Sequence, residues 1–543
     1  MKIDRIFYNG IIFTGEEEEF VEAVALSGKY IAETGAKEAL MNLADDETEI
    51  IDLDGKMMMA GFIDSHAHPM SSGIEVLYKA DLNDCASAEE YIEVIRKFKE
   101  QHPELDFIMG VGWVNPCFDS NGPTKELLDQ ISEDIPMVFD SGDHHSIWAN
   151  SKAIELAGIT AETADPEGGI IERNEKGEPS GTFREAAQDL IKPICPEFTV
   201  EQYKKGFDDY QRRMAGFGIT MSHDAMLPGD SPAHRALIEM DNDGKLMIKM
   251  NASFETNAAA PVQDWKKYAS YAEKSKGNMF TAERVKFFID GVIEGGTACL
   301  KEEYANKPGY FGECIWDKAV LEAFITELDK AGLELHFHVI GDRAVDIMLT
   351  ALEKARAANG ERPRRPIAAH VQVLDKADIE RLKNENVHIS ANPFWFVKAP
   401  GYFEIEKSCL GESRAEAEYP MKSLFDAGLI VGSASDYSAT PVPRPLDGIQ
   451  LAVTRSLPEF GGDKAMILGE EERISLKQAL LSFTINNAKL AKMEEVTGSI
   501  KKGKLADLVI LDCNLFEADP YDIDKTKEYM TISEGRVIYA AEK

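Results

Sequence analysis

The sequence predicts an α/β protein: a (β/α)8 TIM barrel, a small β-sandwich domain built from both termini, and an inserted α+β subdomain after barrel strand one. Three observations carry this. Short apolar runs alternate with amphipathic helical stretches through the middle of the chain. Glycine-punctuated, strand-like runs occupy both ends. The first two barrel runs are separated by far more chain than one crossover needs.

The elements follow in chain order. IDRIFYNGIIFTG, EAVALSGKYIAETG and EIIDLDGKMMMAG, all before residue 59, read as strands parted by glycine turns. GSIKKGKLADLVILD (498–512) and GRVIYA (535–540) have the same character. The expected domains are therefore a composite β-sandwich over 1–58 and 486–543, a barrel over 59–70 and 205–485, and an insert over 71–204. Barrel strand one is GFID, Gly61–Asp64. Strand two is Gly218–Ser222, after a helix with Tyr203, Phe207, Tyr210 and Met214 on one face and Thr199 as N-cap. The remaining six strands fall at 248–254, 284–291, 333–338, 366–370, 387–393 and 428–436. In a barrel, βα connections lie over the active-site face, so the insert is expected to form part of a substrate pocket.

Composition narrows the function classes. At 543 residues the chain is too long for a single core. Its net charge of −36 disfavours nucleic acid and anionic membranes, which need a basic surface. No run of about 18 apolar residues occurs, so no membrane partner is expected. The start lacks the apolar core of a signal peptide, which predicts a cytoplasmic protein. The seven cysteines (85, 117, 195, 299, 314, 409 and 513) are scattered and contain no CxxC. Free thiols are expected.

The residues with the most chemistry sit at predicted strand ends. His66 and His68 flank one residue, so in a strand both imidazoles face one side, as a first-row metal ion requires. Pro69 ends that strand, having no N–H for the ladder. His338 ends strand five, His370 ends strand six and Asp436 ends strand eight. A barrel assembles its site from these ends, so four histidines and an aspartate can converge. Lys286 lies inside the apolar run VKFFIDG, and a lysine buried there must be neutralised, paired or modified. His336, one layer deeper than His338, reads as a supporting or core residue. His223, at the end of strand two, is a candidate pocket residue.

These residues are similar to those of the amidohydrolase superfamily of metal-dependent hydrolases, over nearly the whole chain. The chain resembles the YtcJ-type branch, which includes N-substituted formamide deformylases. Further carriers are DHHSIWANS (143–151), GGIIERNEKGEPSGTFRE (168–185), KFFIDG with Tyr304 following, HVIGDRAVD (338–346) and SASDYSATPVPRPLDGI (433–449). The resemblance implies that CO2 carboxylates Lys286 to a carbamate that bridges two metals. It implies that His66 and His68 hold one ion beside Asp436, and that His338 and His370 hold the other. The expected cofactor is a divalent metal, zinc, as one or two ions. The branch usually reads DGH where this chain has Asp143-His144-His145, so His145 is the matching histidine.

The expected chemistry is hydrolysis of a C–N amide bond in a small molecule by metal-activated water, with Asp436 as the catalytic proton carrier. His145, Trp148 and Glu185 on the insert, with Trp113, His223 and Tyr304, are candidate substrate contacts. Trp113, Phe118 and Trp148 are expected to form an apolar cover. Two alternatives stand beside this reading. One is deamination or cyclic-amide opening, although superfamily deaminases carry a glutamate where this chain has Gly341. The other is a non-catalytic binding or regulatory homologue, although the metal ligands are all kept. A small-molecule substrate is expected, and a homodimer is compatible with the sequence.

Overall fold

Eight runs of apolar residues pair side by side as parallel strands, buried along almost their whole length. In chain order they are Phe62–Ala67, Ile219–Leu227, Lys249–Glu255, Phe280–Phe288, Glu334–Val339, Ile367–His370, His388–Ala391 and Val431–Ser433. They are barrel strands one to eight below. Burial on both faces explains why their sequences run apolar rather than alternate. The computed structural model describes residues 2–542 apart from 115–116, 119–120, 143–145 and 167.

The chain divides into two compact units, residues 1–69 with 208–543 and residues 70–207. In the first, the barrel closes between strands eight and one. Asp436 N donates to His66 O at 2.8 Å, and His68 N donates to Tyr437 O at 2.7 Å. Asn487 Nδ2 donates to the carbonyls of both Ile63 and Ser433. Gly432 is required for this approach, because a Cβ there would lie 2.0 Å from Asn487 Oδ1. Helices Lys318–Lys330 and Asp342–Asn359 cover the strands with Phe324, Leu328, Val345 and Leu349 buried.

Strands from both chain ends form one sheet in the order Arg536–Ala540, Glu528–Ser533, Leu508–Leu511, Met57–Ala60, Arg5–Phe13, Phe20–Ser27, Tyr30–Gly35. Its far edge folds back onto the segment before Leu508: Ile31 N donates to Lys504 O and Gly503 N to Ile31 O, both at 2.8 Å. Phe7, Val24, Ile31, Met58, Leu508 and Ile532 fill the space enclosed. The sheet is tied to the barrel through Asp507, whose carboxylate meets Lys249 Nζ at 2.9 Å and Thr497 Oγ1 at 2.6 Å. Both charges are buried, so the pair is held by its own geometry.

The second unit contains a six-stranded sheet, in the order Gly169–Arg173, Pro179–Glu185, Ser146–Ala149, Met137–Ser141, Ile108–Trp113, Lys79–Asp81. Tyr91 and Ile95 of helix Ala88–Gln101 pack into its core. The helix Val200–Gly216 buries Phe207, Tyr210 and Met214, and Thr199 Oγ1 accepts from Gln202 N at 3.3 Å. Among the described residues no helix is long and apolar enough to cross a membrane.

Three sequence expectations need correction. Strand two runs to Leu227, which places His223 in its middle; Ala225 and Leu227 continue the buried row beyond the polar Asp224. Strand eight stops at Ser433, since the chain turns to reach Asp436, whose φ is 57°. Not all thiols are free: Cys299 is bonded to Cys314. The loop between them doubles back, with Leu300 N bonded to Phe311 O and Ile315 N to Ile289 O. A Cβ at Gly312 would lie 1.7 Å from Ala298 O, so the turn needs glycine.

Candidate metal centre

Imidazoles and carboxylates gather where strands one, six and eight end. The ligand atoms of His66, His370 and Asp436 all lie within 4.8 Å of one another. His68 Nε2 is 3.0 Å from Asp436 Oδ1, and His66 Nε2 is 3.5 Å from the same oxygen. Lys286 Nζ reaches His66 Nε2 at 3.2 Å. The His338 ring stands 4.6 Å from that of His370, and its Nε2 donates to Gly291 O at 3.1 Å. Strand one supplies His66 from inside its ladder and His68 from the residue beyond it. Pro69 then begins the next helix.

Backbone conformation aims two of these groups. His370 has φ 74° and Asp436 has φ 57°, a region that side-chained residues rarely adopt. Such torsions persist only where the surroundings enforce them. His370 Nδ1 is held by Asn392 Oδ1 at 2.8 Å, and its ring stacks on Trp395, centroids 5.3 Å apart. Trp395 Nε1 in turn donates to Thr440 Oγ1 at 3.1 Å.

The electrostatics suit a cation. Burial, reinforced by the charge of Lys286 and the other imidazoles, holds His66 well below the usual histidine value. Burial and the charge of His370 do the same to His338, and burial brings His370 down to about 4. These rings are neutral at pH 7, with lone pairs to offer. Burial lowers Lys286 to about 7 against the pull of Asp436 and Asp224. Burial would raise Asp436, but the hydrogen bond and charge of His68, with the charges of His370 and Lys286, hold it below the usual carboxylate range. His68 alone is raised: its bond to Asp436 outweighs its burial. Neutral imidazoles around a carboxylate that stays ionised in a buried site are the donor set of a divalent first-row ion.

The other candidates each have surroundings of their own. Trp113 and Trp148 are fully buried in the core of the 70–207 unit, where their Nε1 groups donate to Phe139 O and Thr124 O. Phe118 packs between Tyr91 and the two indoles. The two indoles fill a core and leave no face for substrate, and Phe118 is half-buried against them. Glu185 is exposed at the end of a strand of that unit, with φ 48°. Tyr304 is buried, its hydroxyl donating to Ala298 O at 3.0 Å, which makes it a pin for the loop after strand four. His223 is buried against Ser253 rather than open to a pocket. His145 lies outside the described residues.

Sequence reasoning missed Asn392, Trp395, Asp224 and Ser253. It also missed Asp290, whose buried carboxylate accepts from Cys299 N (2.9 Å), Ile340 N (3.0 Å) and Gly341 N (2.8 Å). Asp290 thereby joins the loop after Lys286 to the loop after His338. The run KFFIDG held a signal for it, since a buried aspartate needs several donors.

Comparison with known proteins gives the chain's family. The amidohydrolase family model matches residues 49–539. YtcJ of Bacillus subtilis is 31% identical over 545 aligned residues, covering 98% of this chain and 99% of its own. The N-substituted formamide deformylase of Arthrobacter pascens is 26% identical, covering 92% and 91%. An uncharacterized metal-dependent hydrolase from Pyrococcus furiosus superposes with a TM-score of 0.76 at 26% identity, covering 95% of this chain and 99% of that one. With a matching model that spans the barrel and the C-terminal strands of the terminal sheet, this chain belongs to the amidohydrolase family.

Proposed function

We propose that the protein hydrolyses the C–N amide bond of a small molecule, an N-substituted formamide or a similar N-acyl compound. The observation that carries this is the convergence of His66, His370 and Asp436, with His68 and Lys286 in contact with two of them. The site fits a divalent ion, zinc by its donor types. His66, His68, His370 and Asp436 would hold it, with His370 moved from the second ion to the first because its ligand atom groups with those of His66 and Asp436; His338 with a carboxylated Lys286 would hold a second. When bound, such an ion polarises the scissile carbonyl and lowers the pKa of the attacking water.

The chain's own residues do the rest. Asp436, ionised at neutral pH, takes the proton of the attacking water and passes it to the leaving nitrogen. Lys286, brought near pH 7 by burial, keeps a large share of free amine. That amine can add to CO2, forming an N–C bond and releasing one proton. The product is an anion where an ammonium would repel the metal.

Gly341 favours amide hydrolysis over deamination. A side chain at this position would place its Cβ 2.0 Å from the Cys299 carbonyl oxygen. The glutamate of the superfamily deaminases has no room here without moving the loop. The test is a hydrolysis screen of N-formyl, N-acetyl and cyclic amides on zinc-loaded protein, with elemental analysis of the same sample. Amine release from N-formyl compounds is expected. Ammonia release from an amino-heterocycle without amide turnover would overturn the reading.

A further inference from the structure

A chain of buried polar groups leads away from His66 through the barrel interior. His66 Nδ1 is 3.0 Å from His336 Nε2. His336 Nδ1 is 2.9 Å from Ser253 Oγ, and the same oxygen is 2.8 Å from His223 Nε2. The four residues come from strands one, five, three and two. None is more than 3% exposed, so water cannot replace a missing partner.

Every link joins groups that can either donate or accept, so the chain alone allows two directions. Its ends select one. At the metal end, His66 Nε2 faces Lys286 Nζ at 3.2 Å and Asp436 Oδ1 at 3.5 Å, the side from which it would bind an ion. That nitrogen must present a lone pair, so Nδ1 carries the hydrogen. His336 Nε2 then accepts, His336 Nδ1 donates to Ser253, and the serine hydroxyl donates to His223 Nε2. This leaves a hydrogen on His223 Nδ1.

At the far end stands Asn251, the register partner of His223 on strand three. Its amide nitrogen donates to Thr281 Oγ1 at 2.9 Å. Its carbonyl oxygen is buried with no hydrogen-bond partner among the described residues. An acceptor therefore waits for the hydrogen that this direction delivers. The reverse direction would aim an N–H at the ion and a lone pair at the Asn251 carbonyl.

We propose that His336, Ser253 and His223 are positioning residues: a one-way hydrogen-bond relay, ending on Asn251, that presets the tautomer of His66 for metal binding. The inference rests on the metal reading above. Partners that orient metal-binding histidines are typically worth about 10–100-fold in metal affinity. Here the effect is carried over three residues, two of which do not touch a ligand.

Two measurements test it. Zinc affinity is determined by chelator competition for the wild type, Ser253→Ala and Ser253→Thr. Ser253→Ala is expected to bind zinc about 10–100-fold more weakly, while the metal-free protein still unfolds in one cooperative transition, at a lowered melting temperature because two buried ring nitrogens lose their partner. Ser253→Thr, which keeps the hydroxyl, is expected to restore affinity. Equal affinities for wild type and Ser253→Ala overturn the relay alone; a wild type that binds no zinc overturns the metal reading and the relay together. Independently of any variant, 15N-histidine NMR of the wild type should show His336 and His223 neutral and protonated at Nδ1. Protonation of His336 at Nε2 would overturn the proposed direction.

Discussion

Replacing Lys286 by methionine separates two roles by the sign of the effect. The amine lies 3.2 Å from His66 Nε2. An ion bound to that nitrogen at about 2.1 Å lies no more than about 5 Å from Nζ. At an effective dielectric of about 20, a unit positive charge at that distance from a dication costs about 7 kcal/mol, or roughly five decades of affinity. If Lys286 were only a buried cation, Lys286→Met would tighten metal binding by a large part of that. If Lys286 is a carbamate anion, the same substitution removes an attractive charge and weakens binding, by about 10²-fold or more once the desolvation of the anion is discounted. The assay is zinc competition in bicarbonate buffer, with Lys286→Ala plus acetate or propionate as a rescue arm. Tighter or unchanged binding by Lys286→Met would refute the carbamate reasoning.

Three further outcomes are expected. Asp436→Asn, assayed at saturating zinc, should lower kcat by about 10²–10⁴-fold, because it removes the proton carrier; unchanged turnover would take Asp436 out of the mechanism. Gly341→Ala should destabilise the protein by about 1–3 kcal/mol through the clash with the Cys299 carbonyl, and a denaturation midpoint equal to wild type would contradict that packing. Glu406 is raised to about 7 by burial and the charge of Glu294, against the hydrogen bond from Gln372. Because its folded pKa lies above its unfolded one, the contribution of this one group is fully present below about pH 4 and falls by on the order of 3 kcal/mol as the pH rises through 7. Glu406→Gln should flatten that slope in a melting series, and an unchanged slope would assign it to other groups.

What could be read from the sequence follows from what a strand hides. A histidine ending IAAH or HFH, and a lysine within VKFF, are conspicuous because nothing in an apolar strand explains them. His66, His68, Lys286, His338, His370 and Asp436 stood out in the sequence as candidates, and the structure brings the ligand atoms of His66, His370 and Asp436 within 4.8 Å of one another. Ser253 and Asn392 were not, because a small polar residue within a strand acquires meaning only from the ring opposite it. Trp113 and Trp148 misled for a related reason. An indole in a half-buried sheet can face either way, and the acceptors that settle it, Phe139 O and Thr124 O, lie 26 and 24 residues distant. The Cys299–Cys314 bond was hidden because loop geometry makes it: Asp290 collects Cys299 N, and Gly312 lets the chain return. The barrel was legible from strand order, whereas its closure rests on Asn487, whose partners are 424 and 54 residues away.

Charge then separates one bound ion from two. Burial keeps the imidazoles of His66, His338 and His370 neutral, while the bond to Asp436 raises His68. The carboxylates acting on Lys286 are those of Asp436 and Asp224. With the lysine amine neutral, these two charges balance one dication. Asp64 supplies little more: burial pushes its carboxyl up to about 6, and its oxygens are occupied by Ser435 and the His66 amide. A second dication would add two positive charges beyond those that Asp436 and Asp224 balance, which is worth several kcal/mol at a separation of about 4 Å. A carbamate on Lys286, as proposed above, would supply one of the two negative charges a second ion needs, leaving the other to an anionic ligand such as hydroxide. Ion count should therefore follow CO2: one zinc per chain in CO2-depleted buffer and two in bicarbonate, measured by elemental analysis after desalting. Two ions retained by CO2-depleted protein would show that the charge is balanced by another group and that Lys286 is not the switch between the two states.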